Sequence, residues 1–248
     1  MNHDITLYDL PNNTNFLSKK DLVSFFRDKF PGISNSNVNW KIRNLIRNGF
    51  LERAGFGVYI RSNRTPFEIE NYEIVPAIAK YLRENFPELE FSLWDTRNLG
   101  RFSLHQTARF MIILEVERDS VFTIFNFLKD AFDNLFVNPG KKEYDLYITD
   151  CNDPVVIKAG VTQAPLKLKE GISVPSLEKI LVDLFVEDII FTPFQGSELI
   201  TIYKSAFALH PINLSSLLRY AGRRGARKRI MEFLSETGLN DRIMKGEP

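Results

Sequence analysis

The sequence predicts an α+β protein, and three observations lead to that prediction. Its first quarter has two segments with apolar residues at helical spacing, followed by a short hairpin pattern. Its middle alternates short, apolar, strand-like runs with helical segments. From Pro175 onward the spacing is helical throughout. Together these patterns indicate a small helical N-terminal domain, then an α+β domain with a mixed sheet and a helical C-terminal tail.

The first predicted helix begins at Ser18, because serine is a preferred helix N-cap. Its apolar residues recur at helical spacing, at Leu22, Phe25, Phe26 and Phe30. Pro31-Gly32 then ends the helix. Ser34 or Ser36 starts a second helix, and Gly49 stands where a C-terminal cap belongs. The inward face of this second helix carries Val38, Ile42, Leu45 and Ile46.

A hairpin follows the two helices. The pattern predicts a strand at Phe50–Arg53, a turn at Ala54–Gly57 and a return strand at Val58–Ile60. Helix, turn, helix and hairpin make the layout of a winged helix-turn-helix, which places one helix in the DNA major groove. A polar connector at Arg61–Pro66 follows, so we predict one domain over residues 1–64 and a second over residues 65–248.

The N-terminal domain is strongly basic. Residues 16–64 hold ten Lys/Arg against three Asp/Glu, a net charge of +7 in a chain whose total is +1. Such a local excess is typical of phosphate binding, and Asn and Arg suit adenine and guanine edges. The predicted DNA-binding residues are Asn35, Ser36, Asn37, Asn39, Lys41, Arg43, Asn44, Arg47, Arg53 and Phe56. Two questions stay open: whether this domain serves protein contacts instead, and whether Trp40 packs against the body or against a sugar.

The middle of the chain predicts strands that alternate with helices. Helices are predicted at Tyr72–Asn85 and Ser120–Phe132, and the most apolar run, Phe110–Val116, predicts a buried strand. The other predicted strands are Phe91–Trp94, Leu135–Val137, Tyr144–Ile148 and Val155–Lys158. The helices predicted for the C-terminal tail are Ser176–Val186, Ser197–Ala208, Asn213–Ala221 and Ala226–Glu236.

The composition predicts a cytoplasmic, globular protein without a membrane segment. The N-terminus lacks a secretory signal pattern, and the sequence has no run of about 18 apolar residues. A single cysteine, Cys151, excludes an intrachain disulfide and fits a reducing compartment. The histidines (His3, His105 and His210) are scattered, and the sequence has neither a Gly-rich phosphate loop nor zinc-ligand spacing. We therefore predict no metal, no cofactor and no catalytic residue, while the oligomeric state stays open.

Three runs in the C-terminal half resemble a known family. They are VPSLEKILVDLF (Val174–Phe185), FQGSEL (Phe194–Leu199) and INLSSLLRYAGRRG (Ile212–Gly225). Together with the N-terminal layout, they make the chain similar to the AbiEi-type antitoxins, the regulator halves of bacterial type IV toxin–antitoxin, abortive-infection systems. The resemblance implies a protein that binds double-stranded DNA at its own promoter and represses it. It also implies a nucleotidyltransferase-type toxin that the C-terminal domain counteracts without catalysis.

The C-terminal tail concentrates positive charge. Residues 213–231 hold six basic residues and no acidic one, whereas residues 65–212 have a net charge of −8. Six like charges need an anionic neighbour, which would be DNA or RNA phosphate, a bound partner, or internal carboxylates such as Glu178 and Asp183. The residues predicted to contact an anion or a partner are Arg219, Arg223, Arg224, Arg227 and Lys228. Arginine fits carboxylate and phosphate alike, so the sequence leaves this choice open.

A metal-dependent nuclease is the alternative interpretation. Glu115, Asp145 and Lys158 all lie in or beside predicted strands. Such a nuclease would need an acidic residue two positions before the lysine to hold a divalent cation, and Val156 stands there instead. Asp95 follows a predicted strand, where an aspartate more often caps the next helix. We therefore predict a DNA-binding regulator rather than an enzyme.

Overall fold

The N-terminal unit of the computed structural model has two helices packed on a three-stranded antiparallel sheet. The structure describes residues 10, 16–47, 49–62, 64–103 and 110–239. The elements of this unit are β1 (Phe16–Ser18), α1 (Lys19–Lys29), α2 (Asn35–Arg47), β2 (Leu51–Gly55) and β3 (Val58–Arg61). The strand order is β1-β3-β2. The predicted hairpin is therefore present, and β1, which was not predicted, pairs with its second strand.

Local signals set the ends of both helices. Ser18 caps α1: its Oγ accepts the amide of Asp21, whose carboxylate in turn accepts the amide of Ser18. Gly49 follows α2 with a φ of 70°, and the amides of Gly49 and Phe50 donate to carbonyls in the last turn of α2. This pair of hydrogen bonds requires a left-handed residue, which glycine supplies without steric cost. Both predicted end signals are confirmed.

The core of the N-terminal unit draws on every one of its elements. Its buried apolar residues are Leu10, Leu17, Leu22, Phe26, Val38, Ile42, Leu45, Leu51 and Tyr59. The core residues of α2 recur every three or four positions, which leaves the polar residues of that helix on its other faces. The packing of α2 therefore decides which of its side chains can meet a partner.

The second unit is built on a four-stranded mixed sheet. Its strands are β4 (Phe91–Asp95), β5 (Ile112–Val116), β6 (Leu135–Val137) and β7 (Val155–Ala159), in the order β4-β5-β7-β6. β4 is antiparallel to β5, whereas β5, β7 and β6 run parallel. The strand predicted from the most apolar run is β5, and all five of its residues are buried. Helix α4 (Val121–Leu128) lies between β5 and β6 in the chain, as a parallel crossover requires.

Helices and a second hairpin surround this sheet. Helix α3 (Ile74–Asn85) precedes it, and α5 (Lys141–Glu143) follows β6. The later elements are β8 (Leu166–Lys169), β9 (Ile172–Pro175), α6 (Leu177–Val186), α7 (Ser197–Leu209), α8 (Leu214–Arg223) and α9 (Arg227–Glu236). A continuous hydrophobic core joins residues from Phe67 to Leu239. Among the described residues, the helices are all too short or too polar to cross a membrane.

In the second unit one predicted strand is wrong, and one hairpin was missed. The predicted strand Tyr144–Ile148 is a wide helical turn that continues α5. Tyr144 and Ile148, four positions apart, are buried, while Leu146 between them is exposed, and this is helical spacing rather than strand alternation. The β8–β9 hairpin was not predicted. Its turn, Glu170-Gly171, has positive φ at both positions, but Glu-Gly is a weaker hairpin signal than Asn-Gly or Asp-Gly.

The connector between the two units and the end of α2 both lie against the turn between α7 and α8. The amide of Thr65 donates to the carbonyl of Leu209 over 3.2 Å, and the carbonyl of Thr65 lies 2.7 Å from Nδ1 of His210. At the end of α2, a Cβ added to Gly49 would lie 2.4 Å from the Cβ of Pro211. Glycine is therefore needed at this position for two reasons: the positive φ, and the close approach of the second unit.

Candidate functional site

A cleft lies in the N-terminal unit between the start of α1, one side of α2 and the β2–β3 hairpin. Its volume is about 370 Å³. Its lining combines three basic residues, two small polar residues and an apolar floor: Lys19, Arg43, Arg53, Ser36, Asn39, Ile42, Ile46 and Tyr59. Four of the predicted DNA-binding residues, from α2 and from β2, thus lie together. Lys19 joins them, although in the sequence it contributed only to the net charge.

Three elements position the side chains of the cleft. Ser36, Asn39 and Arg43 lie three and four positions apart, so they share one stripe of α2. Arg53 comes from β2. Lys19 is the first residue of α1, and its backbone amide donates to the carbonyl of Gly57 over 2.8 Å. That hydrogen bond holds the hairpin turn against the helix start, which fixes the width of the cleft.

The basic side chains of the cleft are not neutralised. Within the described ranges, no hydrogen bond or ion pair engages the side chains of Lys19, Arg43 or Arg53, and none of the lining residues is acidic. Like charges gathered in a concave surface raise the local concentration of counter-ions. The arrangement therefore favours an anionic partner.

Two of the predicted DNA-binding residues make contacts between the two helices. Asn35 accepts a hydrogen bond of 2.9 Å from Arg27, which ties the start of α2 to the end of α1. The Nζ of Lys41 lies 4.4 Å from the centre of the Phe30 ring, a cation–π contact between α2 and the end of α1. Asn37 is exposed in the first turn of α2. The structure thus separates residues that fix α2 from those that face the cleft.

Two other predicted residues, Asn44 and Phe56, are not among the residues that line the cleft. Asn44 is half-buried on α2, and Phe56 stands fully exposed at the tip of the hairpin. The side chain of Arg47 lies outside the part of the chain that the structure describes. Trp40 is 53% exposed, so it is not the packing anchor that one sequence interpretation proposed.

A second charged site is buried in the second unit. Three acidic and three basic side chains form one ion-pair network: Glu115, Asp183, Glu187, Lys158, Lys179 and Arg224. They come from β5, from β7, from α6 and the residue that follows it, and from the turn after α8. At most 14% of any of these side chains is exposed. The formal charges cancel, as burial of this many ions demands.

Two lysines link the sheet to α6 in this network. The Nζ of Lys179 lies 2.7 Å from Glu115 on β5 and 2.6 Å from Asp183 one turn further along α6. The Nζ of Lys158 lies 3.2 Å from Glu115 and 2.5 Å from Glu187. Glu115 is therefore shared by both lysines, which fixes the position of α6 over β5 and β7.

Arg224 joins the C-terminal helices to the same network. Its guanidinium lies 3.1 Å from Asp183 and 2.6 Å from Glu187. The hydroxyl of Tyr220, one turn earlier in the chain, donates to Asp183 over 2.9 Å. Asp183 consequently accepts hydrogen bonds from a lysine, an arginine and a tyrosine.

The charges of the network shift one another's pKa values. Burial alone would raise the pKa of Asp183, but Lys179, Lys158 and Arg224 outweigh it and hold the pKa below its ordinary value. Burial alone would lower the pKa of Lys179, but Asp183 and Glu115 outweigh it and raise the pKa. The pKa of Lys158 is raised against burial in the same way, mainly by Glu115. All three groups are thus held in their charged forms.

The arginine-rich tail has one residue in the buried network and several that are exposed. The internal alternative holds for Arg224, through Asp183 and Glu187. Glu178, the other carboxylate considered from the sequence, accepts the backbone amide of Asn213 at the start of α8. The other predicted tail residues are exposed: Arg219, Arg223, Arg227 and Lys228. Of these, Arg223 donates to Thr162, Arg227 donates to the carbonyl of Leu218, and Lys228 lies 3.8 Å from Glu232.

The carboxylates considered for a nuclease are not brought together. Glu115 is buried and engaged by two lysines, whereas Asp145 is exposed on the helical turn after α5. Asp95 caps a short 3-10 helix by accepting the amide of Arg97, as predicted, and burial raises its pKa to about 6. Among the described residues, no three His, Cys, Asp or Glu side chains are grouped so that they could hold a metal ion.

Comparison with known proteins places the chain in a family. No curated protein matches it. A model described as a family of unknown function (DUF6577) matches residues 37–240. The matched segment begins in α2, includes the hairpin and extends past α9, so it contains most of the cleft and the whole ion-pair network. Because the match covers well over half of the sequence, the chain belongs to the DUF6577 family.

Proposed function

We propose that the protein is a DNA-binding transcriptional regulator whose N-terminal unit is a winged helix-turn-helix. The order of α1, α2 and the β2–β3 hairpin, with β1 completing the sheet, supports this interpretation. So does the stripe of polar and basic residues on the side of α2 that faces away from the core. A helix of this kind enters the major groove and reads base edges.

One observation carries the proposal: Lys19, Arg43 and Arg53 surround the cleft without a carboxylate among its lining residues. Arg43 and Asn39, both on α2, are the side chains suited to guanine and adenine edges. Lys19 and Arg53 flank the helix from α1 and from the hairpin, where they would contact the phosphates on either side. Base contacts would thus come from α2 and phosphate contacts from its neighbours.

We further propose that the protein represses its own promoter and is the antitoxin of a nucleotidyltransferase-type toxin. The support is the resemblance of residues 174–185, 194–199 and 212–225 to the AbiEi-type antitoxins. In this proposal the second unit supplies the antitoxin effect in the cytoplasm, without catalysis. The N-terminal unit supplies the operator binding.

Fluorescence anisotropy tests the DNA-binding part. The purified protein is titrated with the duplex from upstream of its own gene and with a scrambled duplex, each at several salt concentrations. We expect tighter binding to the native duplex, and Arg43→Ala should weaken it by about 1–3 kcal/mol if this arginine contacts a base. Arg118→Ala, a change to an exposed arginine between β5 and α4, is the matched control and should leave affinity unchanged. Equal affinity for the two duplexes would refute sequence-specific binding.

A growth assay tests the antitoxin part separately. The adjoining gene is expressed together with the wild-type protein or with the Arg43→Ala variant. If the second unit counteracts the toxin, the variant should still protect the cells although it no longer binds the promoter tightly. An adjoining gene that encodes no nucleotidyltransferase, or cells left unprotected by the wild-type protein, would refute the antitoxin role without affecting the DNA-binding result.

A further inference from the structure

The tip of the β2–β3 hairpin presents a phenylalanine directly to solvent. Phe56 is fully exposed, and no other large apolar side chain among the described residues approaches its exposure. It lies next to the basic cleft, because Arg53 precedes it on β2 and the start of α1 contacts the turn. Single exposed apolar residues are common on protein surfaces. The placement of this one beside three unneutralised cations is what requires an explanation.

The turn that carries Phe56 is anchored rather than free. Phe56 and Gly57 form the turn between β2 and β3, and Gly57 has a φ of 70°. The carbonyl of Gly57 accepts the amide of Lys19 over 2.8 Å. Gly55, on the other side of the ring, has open space where a Cβ would stand. The aromatic ring is therefore held out from the body on a fixed, narrow support.

We propose that Phe56 is an apolar wedge that inserts between two base pairs next to the DNA segment read by α2. This proposal rests on the proposed DNA-binding function and adds the mode of contact. Apolar side chains that enter the minor groove unstack one base step, and neighbouring cations offset the cost by binding the adjacent phosphates. Lys19 and Arg53 are placed to supply those cations.

The charges around the tip favour DNA over a second copy of the chain as the occupant. A two-fold contact between two hairpin tips would bring Lys19 and Arg53 of one copy close to the same residues of the other. Such like-charge contacts oppose association. A polyanion that offers a stacked, apolar interior satisfies both the cations and the ring.

Permanganate footprinting tests the wedge on a series of duplexes that all bind the protein. The series places a thymine, one position at a time, at each base step next to the segment read by α2. Permanganate oxidises unstacked thymines, so the full-length protein should create a local reactive site in at least one of these duplexes. That site should disappear with Phe56→Ser and persist with Phe56→Leu, which keeps an apolar wedge. Phe56→Ser should also weaken binding about tenfold to a hundredfold, the value of burying one phenylalanine. Phe16→Ser is the matched control, since Phe16 is an exposed phenylalanine on β1, and it should leave the reactive site in place.

The possible outcomes distinguish failure of the wedge proposal from failure of the proposed DNA-binding function. A wild-type protein that binds these duplexes tightly but creates no reactive thymine in any of them refutes the wedge and leaves DNA binding intact. A wild-type protein that does not discriminate the native from the scrambled duplex overturns both proposals. Sedimentation velocity tests whether the tip serves self-association instead. If the wild-type protein is a dimer, and Phe56→Ser loses the dimer but keeps its DNA affinity, the tip mediates self-association and the wedge is refuted.

Discussion

The two charged sites of this protein use the same side chains in opposite ways. In the N-terminal cleft, the side chains of Lys19, Arg43 and Arg53 meet no carboxylate within the described ranges. In the second unit, three basic residues are buried, and each lies within 3.2 Å of at least one carboxylate oxygen. The first site leaves its basic side chains without a carboxylate, whereas the second uses its charges in internal contacts.

Because of this difference, we expect changes in the two sites to affect different properties of the protein. A buried ion without a partner costs several kcal/mol, so the network can exist only because its charges balance. An exposed cation without a partner costs little, and it stays able to release counter-ions when a phosphate arrives. We therefore expect changes in the network to alter stability and changes in the cleft to alter affinity.

The largest effect is expected from Lys179→Met. This change keeps an unbranched side chain, one atom shorter and uncharged, and leaves Glu115 and Asp183 with one fewer cation in a buried site. Breaking such a pair should lower the free energy of unfolding by about 3–5 kcal/mol. Urea denaturation followed by the buried Trp94, in a Trp40→Phe background, reports the second unit alone. Lys228→Met, an exposed lysine on α9, is the control and should change stability by less than about 0.5 kcal/mol.

The pH dependence of the stability lost in Lys179→Met should show whether charge causes that loss. A carboxyl whose pKa is lowered by folding, as for Asp183, stabilises the protein above its unfolded pKa of about 4 and loses this as the pH falls. A lysine whose pKa is raised, as for Lys179, stabilises below its unfolded pKa of about 10.4 and loses this as the pH rises. The stability gap between wild type and Lys179→Met should therefore narrow as the pH falls from 7 to 3. A gap independent of pH would mean that packing, not charge, causes the loss.

A smaller effect is expected where the two units meet. Gly49→Ala places a methyl group against Pro211 and forces a positive φ on alanine, which should cost about 2–4 kcal/mol. Gly32→Ala meets the same φ restriction with nothing within 4 Å of the added Cβ, so it should cost only about 1–2 kcal/mol. Urea midpoints for both variants, read from Trp40 in a Trp94→Phe background, measure the difference. Equal losses would show that contact with Pro211 does not stabilise the N-terminal unit.

The two sites also differ in how far the sequence predicts them. The cleft follows from local signals: Ser18 and Gly49 mark helix ends, and a repeat of three and four positions sets the stripe on α2. The network joins residues more than 100 positions apart, from Glu115 to Arg224. Only the fold brings these residues together, so the sequence could suggest Asp183 as a partner for the tail arginines but not identify the two lysines.

The distinction between local signals and contacts made by the fold also bears on the elements that the sequence predicted wrongly or did not predict. β1 has three residues and becomes a strand only by pairing with β3, whose paired residues lie 40 to 44 positions later in the chain. Residues 144–148 are apolar enough for a strand, but they form a helical turn. Its two buried residues, Tyr144 and Ile148, lie four positions apart, as on one face of a helix. Where tertiary pairing decides the structure, local pattern is insufficient.

The smallest effect is expected from Lys19→Ala, and it should appear in the salt dependence of DNA affinity rather than in stability. Lys19→Ala removes one cation from the rim without touching the core, so the free energy of unfolding should change by less than about 0.5 kcal/mol. If Lys19 contacts a phosphate, the slope of log affinity against log salt should fall by about one, equally for native and scrambled DNA. Lys142→Ala, on the exposed helix α5, is the matched control and should leave the slope unchanged. An unchanged slope for Lys19→Ala would mean that its charge does not face the DNA. The proposed role of the cleft in DNA binding would then rest on Arg43 and Arg53 alone.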